Sequence, residues 1–245
     1  MTDLDRLNVL LRSIVAEGGA DGPRRIGAAC VELLPVAGSA ITLMTGTDAQ
    51  EPVYASDAVV SQLDALQFSL GEGPCVEAFA ERRPVLITDL AEVADGRWPM
   101  FAHAARDTPV RGLFVFPLQL GAITVGVLDL YRLEPGGLAG DGLAGALRAA
   151  DAALWSLLGL RAGETLNTTT NGTGSKDLPG WLSGAPLHRS EVYQATGMII
   201  GQLDVTAAIA LAKLRGFAFA HDRPIDEVAR DVVARRLQFD DEELG

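Results

Sequence analysis

The sequence predicts an α+β chain in two parts, an antiparallel sheet flanked by helices and then a three-helix bundle. Residues 112–131 contain two β-rich runs separated by one glycine and one alanine, and a two-residue connection with glycine first is typical of a type II′ β-hairpin. Apolar residues recur at helical spacing on both sides, over residues 3–16 and 141–160. From residue 190 to residue 237 only helical periods occur, which predicts a separate small bundle.

The first part contains further short elements between the terminal helices. Runs of β-branched residues predict the other strands, and apolar residues at steps of three and four predict helices. The leucine stripe of residues 4–14 predicts that the first helix packs against a partner helix. The predicted strands are 39–44, 51–56, 85–88, 112–120 and 123–131, and the predicted helices are 3–16, 23–34, 56–66, 74–83, 98–105 and 141–160.

The second part contains three predicted helices separated by two turns. Apolar residues at steps of three and four from Val192 to Leu203 predict the first helix. Thr206 is a suitable N-cap for the second. Pro224 suits the first position of the third helix, which places Arg235 and Arg236 in that helix's last turn.

Composition and charge exclude several classes of protein. The chain has 245 residues and a formal net charge of −12, which argues against indiscriminate binding to nucleic acid or membranes. It contains no apolar run of about 18 residues, and its acidic N-terminus does not resemble a signal peptide. Cys30 and Cys75 have neither disulfide-framework nor zinc spacing. We therefore expect a cytoplasmic protein that makes no membrane contact.

Enzymatic activity is not expected either. His103, His188 and His221 are scattered, and neither a nucleophile elbow nor a phosphate-binding loop occurs. No cofactor or metal site is predicted.

The segment 187–239 has seven basic and six acidic residues, so its net charge is 7 − 6 = +1. A module with so little charge binds RNA through a few placed contacts rather than through a broad basic field.

A series of motif residues lies along the three predicted helices: Gln194 to Met198, Thr206, Ala210, Leu214-Arg215, Ala218 and Glu227 to Ala229. In this order and spacing the series resembles the ANTAR module, the RNA-binding unit of bacterial transcription antiterminators. The chain departs from that family at Thr196, where a lysine is common, and at residues 207–209, where acidic residues are common. The resemblance implies binding to hairpin loops in nascent leader RNA. The candidate contacts are Thr196, Gly197, Lys213, Arg215, Arg223 and Arg230.

Three motifs in the first part, at residues 71–75, 84–89 and 126–131, resemble those of GAF domains, which sense small molecules. The resemblance covers most of residues 1–160 and implies a site for an unidentified small molecule between the sheet and the helices. The aromatic candidates could equally fill the core, and Cys75 could be either a sensor thiol at a helix N-terminus or a small packing residue. The candidate pocket residues are Glu72, Cys75, Trp98, Phe101 and Phe114.

The two resemblances together predict a GAF domain over 1–160, a flexible linker over 161–187, an ANTAR domain over 188–239 and an acidic tail over 240–245. This order is found in actinobacterial regulators. We therefore predict a homodimeric regulator of transcription antitermination, in which the GAF domain controls an RNA-binding output. Two alternatives remain open, namely a DNA-binding transcription regulator and a GAF dimer that acts through protein interactions.

Overall fold

The structure, a computed structural model, describes residues 1–94, 96–168 and 189–240, without the side chains of residues 160–168. The first part is an α+β domain, as predicted, and the second is helical. The strands are β1 (Gly38–Met44), β2 (Gln50–Ala55), β3 (Val85–Ile87), β4 (Gly112–Leu120) and β5 (Ile123–Arg132). The α-helices are α1 (Asp3–Glu17), α2 (Gly22–Leu33), α3 (Ala58–Leu70), α4 (Pro74–Glu81), α5 (Pro99–Ala105), α6 (Asp141–Thr168), α7 (Ser190–Leu203), α8 (Ala207–Ala220) and α9 (Ile225–Val233).

The five strands form one antiparallel sheet in the order β2-β1-β5-β4-β3. The turn between β4 and β5 confirms the predicted hairpin. Leu120 pairs with Ile123, Gly121 has a φ of +60°, and Ala122 is not among the residues with positive φ. A type I′ turn would require positive φ at both central residues, so this is the type II′ geometry.

Each face of the sheet is covered by a different helical layer. Alternate strand residues such as Ile41 and Phe116 pack against α1, α2 and α6 in one core. Their neighbours, including Leu113 and Val115, pack against α3, α4 and α5 in a second core. Because side chains alternate between the two faces of a strand, one sheet supplies both cores.

The helix ends differ from the prediction at three places. Helix α6 continues to Thr168, past the predicted boundary at residue 160, and the rest of the predicted linker lies outside the described residues. Pro224 is the N-cap of α9 rather than its first residue. That helix ends at Val233, so Arg235, with a φ of +57°, lies beyond it and not in its last turn as predicted. The left-handed conformation at Arg235 is incompatible with a continuing helix.

The last three helices form a bundle with its own apolar core, and Phe68 of α3 inserts into that core. Thr206 caps α8 as predicted, because its side chain accepts a hydrogen bond from the Ile209 amide at 3.4 Å. In the described part of the chain, no single helix is both long and apolar enough to cross a membrane. Helices α7 and α8 meet that criterion only as a pair, with a bend of 107° between them.

Candidate functional site

The main contact between the sheet domain and the bundle surrounds the ring of Phe68. The Arg189 guanidinium lies 3.8 Å from the ring centroid and that of Arg215 lies 5.1 Å from it. Tyr193 packs edge-on against the same ring, with 6.3 Å between centroids. One aromatic side chain of α3 therefore contacts two cations and a phenol of the bundle, an arrangement that favours cation–π attraction.

Arg189 is the best-paired of these residues. Its Nη2 donates to Asp64 Oδ2 at 2.5 Å, and its Nη1 donates to the Gln50 carbonyl at 3.0 Å. The arginine and aspartate side chains are only 6% and 8% exposed, so the ion pair is buried. The Tyr193 hydroxyl accepts from the Gln50 amide at 2.8 Å and donates to its carbonyl at 2.5 Å, while desolvation raises the tyrosine pKa. We call this set of contacts, made by Arg189 and Tyr193 with Asp64 and Gln50, the latch.

Asp64 also belongs to a buried polar cluster between α3 and the sheet. Its Oδ1 accepts from the Thr42 hydroxyl at 2.9 Å. Nearby, the Cys75 thiol donates to Asp129 Oδ1 at 3.0 Å. Burial, with a smaller contribution from the charge of Asp64, raises the pKa of Asp129 to about 7, and the hydrogen bond from Cys75 partly opposes this shift. Among the described residues, Asp129 Oδ2 has no hydrogen-bond partner.

Cys75 is held as a neutral thiol. Its amide donates to Gln67 Oε1 at 2.7 Å, and its side chain is fully buried. Burial, reinforced by the carboxylate of Asp129, raises the thiol pKa well above its ordinary value. A reactive sensor thiol needs a lowered pKa and access to solvent, so this environment matches the packing interpretation of Cys75.

Four of the five predicted pocket residues lie together on one side of the sheet, and the fifth lies on the other side. Phe101 is fully buried and packs edge-on against Trp98, with Cys75 in the same core. Glu72 contacts the same group, because its carboxylate accepts hydrogen bonds from the amides of Met100 and Phe101 and so caps the start of α5. The prediction for Phe114 was wrong. Its position on β4 directs it to the opposite face of the sheet, into the core with α1, α2 and α6.

The six candidate RNA contacts differ sharply in exposure. Thr196 is buried, and its hydroxyl donates to the Val192 carbonyl at 2.7 Å. Arg223 is paired with Asp231 at 2.6 Å. Gly197 and Arg230 are exposed, and Lys213 is half-buried. Three of the six candidates, Gly197, Lys213 and Arg230, are thus open to a ligand in this arrangement.

Arg215 has the most unusual environment of the six. It is half-buried at the contact with α3, and desolvation lowers its pKa. In the described part of the chain, neither its Nε nor its Nη2 has a hydrogen-bond partner. Buried guanidinium nitrogens are normally paired, because an unpaired buried donor loses its bond to water without replacement.

A groove of about 710 Å³ runs along the outer side of α8. Phe217 and His221 stack at its wall, with 4.0 Å between ring centroids and an interplanar angle of 20°. Lys213 and the small residue Gly216 line the same groove, and Asp240 lies at its edge. Stacked rings beside a cation suit an unpaired nucleobase and its phosphate.

Sequence reasoning missed the residues that join the two parts, namely Asp64, Phe68, Arg189 and Tyr193. One signal was available for Asp64, because it shares the helical face of Val60, Leu63 and Gln67, all of which are buried. An acid on an apolar helix face indicates a buried partner. Among the described residues, no group of three or more histidine, cysteine or acidic side chains is arranged to hold a metal ion.

The first part of the chain is similar to known proteins in sequence and in fold. The sequence profile of the GAF domain matches residues 24–154, more than half of the 245 residues. The fold is similar to that of the GAF domain from a phosphoenolpyruvate-protein phosphotransferase of Coxiella burnetii, with 16% identity and a TM-score of 0.52 over 66% of this chain and 98% of that one. A free methionine-R-sulfoxide reductase from Neisseria meningitidis gives 17% identity and a TM-score of 0.47 over 66% and 95% of the respective chains. No curated protein matches the chain.

Proposed function

We propose that this chain, which belongs to the GAF domain family, is a sensor-regulated RNA-binding protein that controls transcription by antitermination. Residues 24–154 form a GAF domain, a sensor typical of signalling proteins. The bundle of α7, α8 and α9 is the proposed output. Its target is a nascent leader RNA, which places the protein in the cytoplasm.

The observation that carries the RNA proposal is the α8 groove. An RNA loop offers unstacked bases, and the stacked Phe217 and His221 provide a face for one of them while Lys213 supplies a charge for its phosphate. The motif alanines support the same interpretation, because Ala195, Ala210 and Ala229 are buried where the three helices pack. The small residues of the motif thus shape the bundle, and Lys213 and Arg230 remain accessible to the ligand.

A homodimer is part of this proposal. Trp155 of α6 is 51% exposed and lines a cavity of about 540 Å³ with Leu11 and Val15 of α1. Val9 and Leu147, also on α1 and α6, are exposed. Arg12, Arg148 and Asp151 line the same cavity, and a surface that combines exposed apolar side chains with charges of both signs suits a second copy of itself. Pairing brings two output bundles together, so that two modest RNA contacts gain affinity through effective concentration.

We propose binding rather than catalysis for the sensor as well. Burial raises the pKa of Cys30 to about 12, and the Cys75 thiol is also held protonated. Neither thiol is a ready nucleophile at neutral pH. The buried polar cluster of Thr42, Asp64 and Asp129 is where we expect an unidentified small molecule to act on the domain.

Two experiments test the proposal. Crosslinking the protein in cells and sequencing the bound RNA identifies the target. Purified protein is then titrated with that RNA and with a version whose loops are scrambled, at physiological salt. We expect Lys213→Ala and Arg230→Ala to weaken binding about tenfold each, whereas Arg24→Ala, which removes an exposed arginine of α2, has no effect. Equal binding to both RNAs, or a preference for duplex DNA, would contradict the proposal.

A further inference from the structure

We propose that the latch holds the bundle in an inactive arrangement by covering Arg215, an inference that rests on the proposed RNA-binding function. Arg215 occupies the arginine position of the motif, yet its guanidinium faces Phe68 of the sensor helix α3 rather than solvent. The sensor domain therefore occupies part of the surface that the output needs. Opening of the latch would release that surface to nucleic acid.

The contact is close enough to exclude a ligand from one side of the guanidinium. Gly71, at the end of α3, faces Arg215 so closely that an added Cβ would lie 2.8 Å from Nη1. Arg215 itself lines the adjoining cavity of about 500 Å³, together with Leu66 and Ser69 of α3 and Phe219 of α8. A phosphate cannot reach the guanidinium through α3, so RNA and sensor compete for this residue.

In the docked arrangement, Arg189 and Arg215 differ in how many of their hydrogen-bond donors have partners. Arg189 is fully engaged with Asp64 and the Gln50 carbonyl. Within the described residues, Arg215 leaves two donors without partners, and burial lowers its pKa, with Arg189 adding to that shift and Asp48 opposing it. A phosphate or a base edge would give those donors acceptors. RNA thus has a higher affinity for the open arrangement, which is the condition for a ligand to shift a two-state equilibrium.

The latch is joined to the interior of the sensor through Asp64. One carboxylate oxygen accepts from Arg189 of the bundle, and the other accepts from Thr42 of β1. Asp129 and Cys75 lie in the same buried cluster, close enough for the charges of Asp64 and Asp129 to interact. A molecule that takes over the hydrogen bonds of Asp64 would weaken its hold on Arg189. Sensor occupancy and release of Arg215 are coupled in this way.

The first measurement follows the accessibility of Arg215 without any RNA. The full-length protein is treated with phenylglyoxal, which modifies exposed guanidinium groups, and the rate at Arg215 is measured by mass spectrometry. Arg189→Met and Tyr193→Phe weaken the latch, and Tyr193→Phe does so by removing only two hydrogen bonds. We expect Tyr193→Phe to speed modification of Arg215 about tenfold, and Arg189→Met, which breaks the buried ion pair, to speed it more. The control is Arg24→Met, which removes an exposed ion pair on α2.

The second measurement uses two RNA probes on the same variants. One is the RNA recovered by crosslinking, and the other is an oligouridine of about 16 nucleotides, which needs no known target. We expect Tyr193→Phe to bind both probes about tenfold more tightly than wild type, and Arg189→Met to bind them more tightly still. Adding Arg215→Ala to either variant should abolish that gain.

The outcomes separate this inference from the proposed function. If Arg215 of the wild type reacts as fast as the exposed Arg230, α3 does not cover it and the inference is overturned, whatever the RNA result. If the wild type prefers the recovered RNA but the latch variants bind no more tightly, the inference is overturned and the proposed function stands. If no variant distinguishes the recovered RNA from its scrambled version, both are overturned.

Discussion

Breaking the buried pair between Arg189 and Asp64 should destabilise the docked protein far more than breaking an exposed pair. Both side chains are more than nine-tenths buried, so Arg189→Met leaves a buried carboxylate whose partner is the Thr42 hydroxyl. Removing one member of a buried pair costs about 3–5 kcal/mol. The exposed pair of Arg24 and Asp21, with side chains 62% and 56% exposed, contributes far less, because water and salt screen its charges.

The loss has an upper limit that the structure defines. The pair joins two parts of the chain, so undocking of the bundle returns the stranded Asp64 to water. Arg189→Met therefore cannot cost more than the free energy that docks the bundle on α3. If docking is weaker than about 3 kcal/mol, the variant should unfold in two transitions, with the bundle melting first.

The assay is denaturant unfolding of the full-length protein, followed by far-UV circular dichroism and by hydrogen exchange over residues 189–203. Arg189→Met and Asp64→Asn are measured singly and together, with Arg24→Met as the control. We expect the double variant to recover much of the single losses, because neither charge is then stranded. Unfolding free energies and exchange rates for Arg189→Met that equal those of Arg24→Met would refute the buried contact between the two parts.

Three further changes test other parts of the structure. Asp129 has a folded-state pKa of about 7, above its ordinary 3.8, so its contribution to stability should fall by on the order of 4 kcal/mol as the pH rises from about 4 to about 7. A urea titration series should show this loss for the wild type relative to Asp129→Asn. Thr206→Ala should lower stability by about 0.5–1 kcal/mol through loss of the α8 cap, and an unchanged melting temperature would contradict that role. Trp155→Glu should weaken the dimer about a hundredfold in analytical ultracentrifugation, while Leu86→Glu, at an exposed site on β3, should leave it intact.

Local chemistry explains which elements could be predicted from the sequence. The turn at Gly121 and the cap at Thr206 depend on one or two residues with defined backbone preferences. The face of the sheet on which Phe114 lies could not be predicted in the same way, because residues 112–118 of β4 are all buried. A strand buried on both faces contains apolar residues at every position, so its sequence carries no alternation to separate the two sides.

The contact between the two parts had no such local signal. Arg189 and Asp64 are separated by 125 residues, and each is an ordinary charged residue within its own segment. The motif resemblance led us to expect Arg215 in solvent, since a basic residue on a short helix is normally solvated. Its burial depends on Phe68, which reads in sequence as one more apolar residue of α3 and packs in the bundle core. Only the assembled structure brings these residues together.

The position of Arg215 bears on why two RNA contacts would be needed at once. Moving a latch from 1% to 99% open requires a ligand that prefers the open form by about 10⁴-fold, or about 5.5 kcal/mol. One bundle with a formal charge of +1 over residues 187–239, and with Arg223 already paired, has few phosphate contacts with which to reach that preference. Two bundles joined in a dimer gain a factor of about 10²–10⁴ once the first is bound. We therefore expect a paired-hairpin RNA to open a latch that a single hairpin leaves closed.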